Sequence, residues 1–170
     1  MGFLDQASTM KEIPAVVLTA GFQAHCTMEV LGILQTFLND EQKAVFALKD
    51  VTLYGLEAGN PARSMTLDEL YVRKDVCHLI AFEQSFPQEE TGLMPRIEQL
   101  AVYTSHFAIQ GGFHMGSDSP LADFMESSKS QYVGVTDLQV FPLFQAQTAV
   151  IQQSPLAFVY RDAGVLHHRL

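Results

Sequence analysis

Six histidines and two cysteines are the side chains in this 170-residue chain best suited to metal or nucleophilic chemistry: His25, His78, His106, His114, His167 and His168, with Cys26 and Cys77. Two neighbouring pairs, His25-Cys26 and Cys77-His78, offer the mixture of imidazole and thiolate that tetrahedral zinc takes, if two adjacent strands bring them together. Neighbouring strand residues point to opposite faces, however, so one His-Cys pair cannot easily share an ion. The positions 85 and 87 residues further on hold Gln110-Gly111 and Gly164-Val165, so neither pair recurs. The pairs read as buried cysteines beside exposed histidines, and His167-His168 as a solvated strand tail. No metal site is expected.

Nucleophilic and phosphate-binding patterns are also missing. There is no Gly-x-Ser-x-Gly elbow, and Cys26 carries no surrounding signature. Gly111-Gly112 is not followed by the Lys-Ser/Thr of a phosphate loop, and in a β segment such a pair marks a bend or bulge. Asp50 and Asp137 recur in equivalent surroundings, where two carboxylates could divide acid and base roles. A residue that breaks a strand by bonding nearby backbone N–H groups explains them more simply. No catalytic residue and no cofactor is expected, and the residues of any binding site are not identifiable from these patterns.

The elements that must position these groups come in two similar sets. Val17-Leu18-Thr19-Ala20-Gly21-Phe22 matches Val102-Tyr103-Thr104-Ser105-His106-Phe107 at an offset of 85, and Leu34 and Phe37 match Leu121 and Phe124 at 87. The offset of 87 continues through Val45–Leu53 against Tyr132–Val140, through Leu56 against Leu143, and through Tyr71–Asp75 against Phe158–Asp162. The two-residue change falls near Gly32 and at Gly116-Ser117-Asp118-Ser119-Pro120, where turn composition tolerates insertion. A tandem duplication is read, with units at 12–84 and 100–170 and a linker at 85–99, ending in a helical turn around Pro95–Leu100.

Each unit reads mainly as β. An extended segment at Ala15–Met28 or Leu100–His114 precedes a short helix at Ile33–Asn39 or Leu121–Ser127, capped in the second copy by Asp118 or Ser119 with Pro120 behind it. A strand follows at Ala44–Tyr54 or Gln131–Phe141. A terminal hairpin closes each unit, at Met65–Arg73 with Val76–Phe82 and at Ala149–Tyr160 with Val165–His168. Lys74-Asp75 and Arg161-Asp162 fall at its solvated tips.

Composition narrows the function classes. At 48% hydrophobic and 17% charged residues the chain can bury a core. Its formal charge is −9, with 11 acids against 6 bases in residues 1–85 and 8 against 4 in 86–170, so both halves repel a phosphate backbone. Nucleic acid is not an expected partner. No signal-peptide pattern opens the chain, and no apolar run approaches the ~20 residues of a membrane span. With two cysteines read as reduced core residues, one disulfide being the alternative, a cytoplasmic protein without a membrane partner is expected.

Phe107-Ala108-Ile109-Gln110-Gly111-Gly112-Phe113-His114, followed by Asp118, Leu121, Phe124 and Val133–Val140, resembles the first half of the Sm signature. The resemblance implies two tandem, five-stranded Sm-like small β-barrels with short helical segments. It stops short of RNA binding, because Lys74-Asp75 and Arg161-Asp162 stand where the RNA-binding pattern places a basic residue before glycine. The first copy also has His25-Cys26 in place of Gln110-Gly111. The chain is similar, too, to small uncharacterised bacterial domains with a Thr-x-x-Phe start. The function expected on these grounds is that of a non-enzymatic scaffold whose barrel edges pair with further copies or with a protein partner. The alternative is a small-molecule-binding module or enzyme with a pocket between the two repeats.

Overall fold

The structure, a computed structural model, describes residues 9–116, 120–127 and 131–170. Its first half runs β1 (Met10–Thr19), β2 (Phe22–Leu31), α1 (Leu34–Leu38), β3 (Val45–Gly55), β4 (Met65–Arg73), a 3-10 turn at Lys74–Val76 and β5 (Cys77–Phe82). After α2 (Gln88–Thr91), the second half runs β6 (Arg96–Tyr103), β7 (Phe107–Met115), α3 (Leu121–Ser127), β8 (Tyr132–Pro142), β9 (Gln153–Tyr160), a 3-10 turn at Arg161–Ala163 and β10 (Leu166–Arg169). The protein is mainly β. Among the described residues the strands form one antiparallel sheet in the order β10-β6-β7-β8-β9-β5-β1-β2-β3-β4.

That order places the fifth strand of each half beside its first, then the second, third and fourth. The halves meet where β9 pairs with β5, and β4 and β10 each keep one open edge. The terminal hairpins expected from the sequence are absent: β4 pairs with β3, and β5 with β1 and β9. The turn at Lys74–Val76 thus carries the chain from one side of the first half to the other. The sheet is open at both ends, and closed barrels are not seen. Strand β6 begins at Arg96, inside the stretch read as linker, where Arg96–Gln99 pairs with Gly112–Met115.

Burial explains why the centre of the sheet is so apolar. Along β1, Ile13, Ala15 and Val17 join one apolar cluster, while Val16 and Leu18 join another. Strand β5 divides the same way, with Ile80 and Phe82 against Leu79 and Ala81, and β9 with Leu156, Phe158 and Tyr160 against Ala157 and Val159. A period of two means opposite faces. The three central strands are therefore covered on both sides, which is why β5 at 79–82 and β9 at 156–160 are continuous apolar runs without alternation. Each cluster draws on both halves, so the halves share two cores.

Two irregularities recur. The register of β2 against β3 shifts across Cys26, and that of β7 against β8 across Gly111. A Cβ on Gly111 would lie 2.9 Å from the Thr136 carbonyl oxygen and 2.6 Å from Val135 Cγ1, so no side chain fits there without backbone movement. Opposite these shifts, Asp50 and Asp137 are the described non-glycine residues with positive φ, 49° and 52°. Both are exposed and neither carboxylate bonds a described residue. Aspartate serves here by tolerating the left-handed conformation, not by the backbone hydrogen bonds expected from the sequence. The capping positions Asp118 and Ser119 lie outside the described residues.

Replacing either aspartate with valine should lower stability by about 1–2 kcal/mol, because a β-branched side chain resists positive φ. Glycine or asparagine there should change it by less than about 0.5 kcal/mol. Urea midpoints of the three variants at each position test this, and equal losses for valine and asparagine would show that the carboxylate itself matters.

Candidate functional site

The two halves differ most where the sheet ends. In the first half an open, largely apolar pocket of about 540 Å³ is lined by Val17, Ala24, Leu53, Leu70, Val72 and His78, among others. It lies against β4, whose nine residues are all exposed or half-buried, Tyr71 at 62% and Met65 at 43%. Its lining comes wholly from the first half, not from between the halves. At offsets of 85 and 87, five of the lining residues become Val102, Ile109, Val140, Ala157 and Val159, all buried in one cluster with Val16, Leu18, Leu56, Leu79 and Ala81 of the first half. Among the described residues, the equivalent place in the second half is filled by β5, β1 and Leu56. Phe22 is 39% exposed at the pocket rim, whereas its counterpart Phe107 is fully buried.

Polar clamps reinforce this junction. Buried Gln23 accepts a bond from Ile151 N–H at 2.8 Å and donates to the Ala149 carbonyl at 3.2 Å. Gln147 donates through its side chain to the Gly55 carbonyl at 2.9 Å and through its backbone N–H to Leu56 at 2.8 Å. From α1, Gln35 and Asn39 both donate to the Tyr132 carbonyl, and Tyr132 N–H donates back to Asn39 Oδ1. Motif reasoning passed over these amides. One signal was available, since Gln23 lies between Phe22 and Ala24 and becomes Ala108 in the second copy.

The His-Cys pairs do not sit on neighbouring strands. Strand β1 lies between β2 and β5, and Cys26 faces Ala15, whose other neighbour is Phe82. Cys26 and Cys77 are buried free thiols; Cys77 donates to the Arg73 carbonyl at 3.3 Å. Burial pushes both thiols up to about 12, away from the range of a reactive thiolate. His25 is exposed. His78 is half-buried with Nδ1 unpartnered, and burial, then His106, lowers its pKa. Among the described residues no three metal-ligating side chains gather.

One contact has the composition of a catalytic triad. Ser105 Oγ lies 2.7 Å from His106 Nδ1, and His106 Nε2 lies 3.6 Å from Glu57 Oε1. At 3.6 Å the carboxylate is not hydrogen-bonded to the imidazole, so the bond that would orient a catalytic histidine is missing.

Lys74 is buried, not solvated as its place beside Asp75 suggested. Its ammonium donates to the Leu38 and Asp40 carbonyls at 3.0 and 2.8 Å and lies 5.0 Å from the centre of the Phe46 ring. Burial lowers its pKa. Tyr132 donates to the Lys74 carbonyl at 2.6 Å, tying this turn to β8. Arg161, its counterpart, is half-buried and pairs with Asp162.

The thiols give a pH prediction. A thiol protonated to about 12 in the folded state but only to 9.0 when exposed binds more protons folded than unfolded. Its contribution is intact below pH 9.0 and is lost as pH rises from there towards 12. The loss approaches about 1.4 kcal/mol per thiol per pH unit. Urea unfolding between pH 8 and 10.5 should therefore show stability falling above 9, and falling less in Cys26→Ala/Cys77→Ala. Parallel curves for the two proteins would refute burial of neutral thiols.

No family model, curated protein or solved structure matches the chain.

Proposed function

We propose that this protein is a duplicated, Sm-like scaffold that assembles with further copies of itself through its sheet edges. The observation that carries the reading is the pairing of β9 with β5, together with the open edges of β4 and β10. Strand β9 is the fourth strand of its half and β5 the fifth of the other. Strands β4 and β10 are the same two kinds of edge, left unpartnered among the described residues. A row of free backbone donors and acceptors is a template for another chain. Sm-like units assemble by edge-strand pairing into rings, and three duplicated chains would supply a pseudo-ring of six units. The five strands of each half, with a short helix between second and third, support the Sm-like reading of the unit.

The pocket beside β4 favours a second reading, in which an apolar small molecule binds there with His78 as its polar contact. The solution mass separates the two. Light scattering on a sizing column should give a multiple of the 18.9 kDa chain mass above one, three for the pseudo-ring. A monodisperse monomer at tens of micromolar would overturn the scaffold and leave the pocket as the place to seek a ligand.

A further inference from the structure

Resting on the scaffold reading, we infer that the apolar pocket beside β4 is the socket for a second copy of this chain, which fills it with Leu143 and Leu166 in the register already used between β9 and β5. The internal junction supplies the template. Within the chain, Leu79 pairs with Val159, Ile80 with Phe158, Ala81 with Ala157 and Phe82 with Leu156. The offset of 87 holds for these strands in space: Val72 faces Phe46 where Val159 faces Val133. Likewise Leu79 faces Leu18 where Leu166 faces Tyr103, the first-strand offset being 85. Transposed, β10 of one copy meets β4 of the next with Leu166 opposite Val72, His167 opposite Tyr71, His168 opposite Leu70 and Arg169 opposite Glu69.

Burial and charge both agree with that register. Leu56 and Leu79, which help fill the second half's core at the internal junction, are fully buried. Their counterparts Leu143 and Leu166 are 54% and 65% exposed. These leucines have no core of their own to enter, while five counterparts of buried core residues line an open pocket at the other end of the sheet. Asp68 and Glu69 put carboxylates on β4, and Arg169 puts a guanidinium on β10, opposite Glu69 in this register. Arg169 has Glu98 3.7 Å away within its own chain, so Glu69 would be its second carboxylate.

The contact between copies is weaker than the internal one. Ile80, Ala81 and Phe82 become His167, His168 and Arg169, and the clamps Gln23, Gln35 and Asn39 become Ala108, Ala122 and Glu126. With less apolar area and without the Gln23, Gln35 and Asn39 amides, chains should separate and re-form while each chain stays whole.

A crosslink reads the register directly. Opposite residues of an antiparallel pair have Cα atoms about 4.5–5.5 Å apart, within disulfide reach. Tyr71→Cys/His167→Cys should form chain-to-chain disulfides under copper-phenanthroline, whereas Tyr71→Cys/His168→Cys, with the thiols on opposite faces, should not. Cys26 and Cys77 are buried and stay out of the reaction. Leu166→Asp should raise the dissociation midpoint by about tenfold or more. Light scattering of the reduced cysteine variants separates the two claims. An assembly that crosslinks equally through both pairs, or through neither, would overturn the register and leave edge assembly standing. A monomer in reducing buffer would end both.

Discussion

The pairing of β9 with β5 is the contact on which the rest of the molecule depends. It turns two five-stranded curls into one sheet and places β1, β5 and β9 between two apolar clusters. Phe82 and Phe158, with ring centres 6.3 Å apart and both fully buried, sit on one side of that pairing, and Leu79 beside Val159 on the other. Truncating a buried phenylalanine of this kind costs about 3–5 kcal/mol, a large share of the total stability of a typical domain. Neither half completes a core alone, since Tyr132, Leu156, Phe158 and Tyr160 contribute to the first cluster and Val16, Leu18, Leu56, Leu79 and Ala81 to the second.

The junction joins a fourth strand to a fifth, and the two ends of the sheet present the same two kinds of strand. The sequence at those ends has moved away from the internal version. Charged and polar residues replace the aromatic and aliphatic ones, the usual way an edge is kept from indiscriminate pairing. Leu70 and Val72 on β4, which line the pocket, stay aliphatic, as do the exposed Leu143 and Leu166 at the opposite end. An edge that is polar on one face and apolar on the other can select one register without being sticky throughout.

Chemistry-bearing residues serve the architecture wherever their partners are visible. Lys74 holds the carbonyls of the loop after α1, and Tyr132 holds the turn that Lys74 begins. The thiols are protonated core side chains. The aspartates at 50 and 137 permit a left-handed residue opposite each register shift. Each group was conspicuous in the sequence by type, yet its role depended on whether it was buried and what lay within 3 Å.

The sequence by itself determined the strands and their correspondence. Extended segments, the offsets of 85 and 87, Asp50 against Asp137 and the continuous apolar runs at 79–82 and 156–160 are all local patterns, because side-chain period and backbone preference act over a few residues. Only the tertiary structure decided which strands pair. Lys74-Asp75 and Arg161-Asp162 look like hairpin turns, but β5 buries two apolar faces only by leaving β4 and joining β1 and β9. The pocket was equally illegible, since Leu70 and Val72 read the same as Ala157 and Val159 until the neighbour beside each pair is known. Burial is a property of what packs against a strand, and that is not written within the strand.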